Sequence, residues 1–160
     1  MLEASEDAGD LGLLSRLMLR TSARNQLHGK VLGIEAQGHN DRVRLELARG
    51  LVIEAQITHD STLRLELDIG TDVVALIKAG WLELHPVEQA EKPGINTLRG
   101  VIEQVDAAED GPSEVRISLP NGQTLCALAD PLELQKQHLE GDSPVQVTFS
   151  ATNVLLGTPL

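Results

Sequence analysis

The sequence predicts an all-β protein: two tandem OB-like five-stranded barrels, each with one short helix, preceded by a short N-terminal linker helix. Three observations predict it. From Leu27 onward, apolar residues recur at every second position, the period of a half-buried strand. The run Asn25-Gln-Leu-His-Gly-Lys-Val31 returns as Asn96-Thr-Leu-Arg-Gly-Val-Ile102, so one plan is laid down twice. Between the two copies, His85–Gly94 carries two prolines, a glycine and mixed charge, the composition of a linker. The expected boundaries are 1–20 for an acidic leader and linker helix, 21–85 for the first barrel, 86–95 for a linker and 96–160 for the second barrel.

The elements follow in order. Residues 3–10 are acidic and small, a leader. Leu13, Leu14, Leu17 and Met18 form a helical stripe within Leu11–Arg20. His28–Glu35 and Arg42–Leu47 alternate as strands around a turn at Gly38–Asp41. A second turn at Ala48–Gly50 leads to a third strand, Leu51–Ile57. Thr58 opens a short helix, Gly70 ends that segment, and Val73–Lys78 and Trp81–Leu84 complete five strands. In the second copy Asn96–Ile102 is followed by Val115–Leu119 and Thr124–Leu128. These flank Pro120-Asn-Gly122, where Asn-Gly is expected to make a two-residue hairpin turn. Asp130 opens the second helix, and Val145–Phe149 and Val154–Leu156 close the copy.

Composition narrows the function classes. Of 160 residues 41% are hydrophobic, yet Trp81 and Phe149 are the only aromatics, so the core must be aliphatic. Small units of this kind gain stability by association. Asp and Glu number 24 against 13 Lys and Arg, a net charge of −11, which is unsuited to neutralising nucleic-acid phosphates. The lone Cys126 excludes an internal disulfide, the N-terminus is acidic, and no apolar run reaches a membrane span. A soluble cytoplasmic chain is the expectation. The five histidines show no metal-ligand spacing. His59 is read as solvent-facing, Cys126 as a core residue and Trp81 as packing. No nucleophile–base pair or phosphate-binding glycine loop is legible, so no catalysis is expected.

One stretch is out of character with this acidity. Thr21-Ser-Ala-Arg-Asn25 offers hydroxyls, a guanidinium and a carboxamide with no negative charge, a donor set suited to a small anion. Comparing the two copies sharpens the point. Ser22 and Arg24 stand opposite Pro93 and Ile95, Thr58 opposite Asp130, Ser61 opposite Glu133, and Lys78 opposite Ser150. Asp130-Pro-Leu-Glu133 reads as close to a self-satisfying capping box. Thr58-His-Asp-Ser61 has a cap but no reaching glutamate, so its helix N–H groups are expected to stay available to an anion. Taken alone, Thr58 and Ser61 would be read as ordinary caps.

The run Thr21-Ser-Ala-Arg-Asn-Gln26, with Leu76-Ile-Lys-Ala-Gly-Trp81 and Leu119–Ala127 in order behind it, resembles the molybdate-binding Mop (TOBE) region of ModE-type molybdate-responsive regulators. The resemblance covers about residues 11 to 158. It implies molybdate, or the near-isosteric tungstate, as ligand. Arg24 would donate a two-bond fork, Lys78 a compact positive charge, and Ser22, Thr58 and Ser61 one hydroxyl each. Ala23, Asn25 and Ala79 would add backbone N–H groups. The resemblance also implies a homodimer, with two anion sites lying between subunits. The function implied is that of an effector-sensing, dimerising domain. DNA would be contacted only through a domain absent from this chain, for which Leu11–Arg20 would be the end of a linker. The alternative is a free-standing molybdate store of the molbindin kind.

Overall fold

The computed structural model describes residues 20–86 and 88–159. The leader and, apart from Arg20, the expected linker helix lie outside the described residues. The first repeat contributes β1 (Asn25–Gln37), β2 (Asn40–Leu47), β3 (Val52–Thr58), α1 (His59–Arg64), β4 (Asp72–Ile77) and β5 (Glu83–His85). The second contributes β6 (Ile95–Asp106), β7 (Ser113–Ser118), β8 (Thr124–Ala129), α2 (Pro131–Lys136), β9 (Pro144–Ser150) and β10 (Leu155–Gly157). Two short 3-10 turns, η1 (Ala79–Trp81) and η2 (Ala151–Asn153), precede the last strand of each repeat.

These strands form where alternation allows one face to be buried. In β2, Val43, Leu45 and Leu47 point inward while Arg44 and Glu46 stay in water. The core is aliphatic, as composition demands, with Phe149 as its one fully buried aromatic. β4 is buried along Val73–Ile77 because both faces are covered. Val73, Ala75 and Ile77 join the core, whereas Val74 and Leu76 pack against Ala23 on the outside.

The sheets run β10-β4-β1-β2-β3 and β5-β9-β6-β7-β8. Each repeat therefore trades its last strand: Glu83–His85 pairs with β9, and Leu155–Gly157 pairs with β4. The sequence suggests two self-contained copies; the structure exchanges their closing strands. Contacts of β10 with β3, and of β5 with β8, roll each sheet into an OB-like barrel.

Matched irregularities bend the long first strands. The β1–β2 register shifts between Val31 and Gly33, and the β6–β7 register between Ile102 and Gln104. Such a one-residue bulge bends and twists a strand, letting it serve two neighbours of different direction. Gly29 and Gly100 occupy equivalent places where strands cross closely. A Cβ on Gly29 would lie 2.7 Å from the Glu46 carbonyl oxygen, and one on Gly100 2.6 Å from Ile117 Cγ2. The hairpin at Pro120 differs from expectation. Gly122 N–H donates to Leu119 O and Leu119 N–H to Gln123 O, with Gly122 at φ +86°. This is a three-residue loop ending in a left-handed glycine rather than a two-residue Asn-Gly turn, because proline presets the first turn position.

Candidate functional site

The β1–β4 ladder ends at the pair Asn25↔Ile77. One step further along that register, Arg24 stands opposite Lys78, so the two cations named from sequence share one end of the first barrel. Ala23 holds the segment there by burying its methyl against Val74 and Leu76. Its N–H, read from sequence as an anion donor, is taken by Thr21 Oγ1 at 3.2 Å. Ser22 is exposed beside it. Lys78 precedes η1 and lays its Nζ 5.3 Å from the centre of the Trp81 ring.

Asn25 is buried and works through its side chain. Nδ2 donates to Ile77 O (3.1 Å) and to Cys126 O (2.9 Å), and Oδ1 accepts from Cys126 N–H (2.7 Å). Asn96 repeats the device: Nδ2 donates to Glu54 O (2.8 Å) and Oδ1 accepts from Glu54 N–H (2.7 Å). Each repeat thus clamps the third strand of the other. The start of β1 and η1 lie on β8, and the start of β6 and η2 lie on β3.

Thr58 and Ser61 sit elsewhere. Gln37 pairs with Asn40, and Asn40 with Thr58. Thr58 is therefore at the far end of β1 from Arg24 and Lys78. Here the expectation of bare helix donors is corrected. Thr58 Oγ1 accepts from Ser61 N–H (3.1 Å) and bonds the Ser61 hydroxyl (2.8 Å), while His59 N–H donates to His39 O (2.8 Å). In the twin helix Asp130 Oδ1 accepts from Leu132 N–H (2.9 Å), but Glu133 faces Lys136 at 3.7 Å instead of closing a capping box. Both helices are self-capped.

The contrast between repeats survives at the 3-10 turns. Ser150 Oγ accepts from Thr152 N–H (3.2 Å), and Ala151 N–H donates to Gly94 O (2.8 Å). Lys78, in the place of Ser150, caps nothing. Ala79 N–H has no counterpart of the Ala151–Gly94 bond among the backbone bonds of the described residues. The donor-rich end is therefore that of η1, which carries Lys78 and the Ala79 amide and where the register also brings Arg24.

Two features escaped sequence reasoning. Arg24 forms a two-pronged bridge to Glu114 on β7, Nη2 to Oε1 at 2.8 Å and Nη1 to Oε2 at 3.3 Å. That bond, first among the causes, holds the arginine above its usual pKa and the Glu114 carboxyl below the usual carboxylate range. Burial, then hydrogen bonding to Glu114, pushes the Cys126 thiol up. The second feature is buried Asp41, whose Oδ2 lies 2.9 Å from His59 Nδ1. The Thr62 hydroxyl, then His59, holds its carboxyl below the usual range, against the opposing effect of burial. His59 is exposed, as its reading as solvent-facing expects, and in addition meets Asp41 through Nδ1. Ser113, Pro131 and Leu134 replace the trio Asp41, His59 and Thr62 in the second repeat. Asp41 in a turn and His59 after a strand were both visible; nothing in their spacing joined them.

A TOBE domain is matched twice, over residues 21–84 and 93–156. The chain is 34% identical over 149 residues to the transcriptional regulator ModE of Yersinia pestis, spanning 92% of this chain and 56% of that protein. It is 32% identical over 149 residues to the molybdenum-pterin-binding protein MopB of Rhodobacter capsulatus, spanning 92% of this chain and 54% of that one. It thus spans about half the length of the curated relatives it matches. Among solved structures, that of the cytoplasmic molybdate-binding protein ModG with molybdate bound superposes with a TM-score of 0.83 at 26% identity. That match covers 88% of this chain and 100% of the other.

Proposed function

The chain belongs to the TOBE-domain family, matched in both of its repeats, and from that premise we propose that it binds molybdate or tungstate between two copies of itself. The observation that carries this reading is the split of the donor set. Arg24, Lys78, Ser22 and the Ala79 amide lie at one end of the first barrel, and Thr58 and Ser61 at the other. Within one chain η1 rests on β8 of the other sheet, not on β3. A pocket using all these donors is completed by Thr58 and Ser61 of a second copy, giving two equivalent sites per homodimer. The protein would touch the oxyanion's oxygens only, through a fixed guanidinium fork, one ammonium and neutral hydroxyls. The role is that of an effector-sensing, dimerising region of a molybdenum-responsive regulator: an anion shared by two copies favours one arrangement of the dimer.

The match to the whole of ModG, a cytoplasmic molybdate-binding protein, accords with a second reading in which the chain only holds the oxyanion, as a store. The second repeat favours sensing, since Pro93, Ile95 and Ser150 replace the donors there, and a store gains by keeping every site.

Calorimetry tests the split. Arg24→Ala and Ser61→Ala proteins should each bind molybdate weakly. Mixed and re-annealed, about half of the dimers form as heterodimers in which one of the two sites is intact, so tight binding returns at about a quarter of the wild-type stoichiometry. No recovery on mixing would reject a shared site, and wild-type affinity in either single variant would reject that ligand.

A further inference from the structure

We propose that Glu114 is a built-in competitor for the oxyanion: an internal carboxylate that fills the Arg24 fork until the anion displaces it. This rests on the reading of Arg24 as a ligand given above. The two Glu114 oxygens lie 2.8 and 3.3 Å from the two terminal nitrogens of Arg24. They stand where two oxygens of a tetrahedral anion would be held by the same fork. Glu114 is no local neighbour: it lies 90 residues away, on β7 of the other sheet.

The pairing exists at only one of the two equivalent junctions between sheets. Where Arg24 meets Glu114, the other junction has Ile95 and Arg42. There Arg42 turns to Glu54 of its own sheet at 3.6 Å, and Ile95 stays exposed. The internal carboxylate therefore accompanies the arginine that the first repeat, and not the second, carries at this junction. Side-chain exposures of 55% and 37% keep the bridge weak enough to exchange. An anion that takes the fork releases Glu114 and removes one tie between the first repeat and the second sheet. The ligand thus sets how firmly the two sheets are joined, and Glu114 sets the concentration at which it does so.

Calorimetry with sodium molybdate at low ionic strength decides this, using wild type, Glu114→Gln, Arg24→Ala and the double variant. Glu114→Gln should bind about two- to fivefold more tightly, the range set by an exposed ion pair. In the Arg24→Ala background the same substitution should gain nothing. Unchanged or weaker binding by Glu114→Gln, with Arg24→Ala still crippled, overturns the competitor and leaves the Arg24 assignment standing. A gain that persists without Arg24 also overturns it, as it would reflect general charge. Wild-type affinity in Arg24→Ala removes the assignment itself and the proposal with it.

Discussion

Arg24 and Lys78 share one end of the first barrel because both lie one step past the Asn25↔Ile77 pair of the β1–β4 register, not because they are close in sequence. Each would give a dianion charge-assisted bonds contributing about 1.5–3 kcal/mol. Truncating either should weaken molybdate binding by about 10- to 150-fold, read by calorimetry with the fold checked by circular dichroism. A milder loss would shift the weight to the neutral donors. Asp41 supplies a prediction in pH. Its carboxyl is held below the ordinary value of 3.8 in the folded protein. Its stabilising contribution is therefore full above that value and fades as pH falls below it. Asp41→Asn should flatten the acid limb of the stability curve below about pH 4, followed by denaturant melts at stepped pH. At this scale the sequence was a partial guide. Residue types pointed to the donor set, but Ala23 N–H is satisfied by Thr21, and Asn25 spends its side chain on Cys126. Partners 90 and 101 residues away leave no trace in local spacing.

Elements were more legible, because period-two burial is written into the residues of each strand. What alternation could not give was extent. β1 runs to Gln37 and β6 to Asp106, past bulges that interrupt the pattern. The helix caps were half readable: Thr58 and Asp130 cap as their types suggest, but Glu133 prefers Lys136. Asp130→Ala should accordingly cost about 1 kcal/mol, whereas Glu133→Ala should cost under about 0.5 kcal/mol, by urea denaturation. The strand crossing at Gly29 supplies a stronger test. Gly29→Ala forces a methyl against a carbonyl and should cost about 1–3 kcal/mol. Gly33→Ala, with nothing within 4 Å of its Cβ, should be nearly neutral. Equal effects would mean that the crossing relaxes freely.

For the whole molecule, the duplicated plan was plain in the sequence, but the trading of closing strands was not. A three-residue strand such as Glu83–His85 can close either sheet by the same alternation, and only tertiary packing chooses. Neither half has a complete sheet alone. Residues 20–90 by themselves should therefore fail to give a dispersed amide spectrum, and adding residues 91–159 as a separate chain should restore it. A well-folded isolated half would show that the exchange is dispensable. The segment 86–94 between β5 and β6 then takes on a meaning beyond that of a spacer. It is a tether that makes mutual completion of the two halves an intramolecular event, at an effective concentration on the order of millimolar. While it is whole, the pairing of the two halves is indifferent to dilution. Once a protease nicks it, the same protein becomes a bimolecular complex that falls apart as it is diluted.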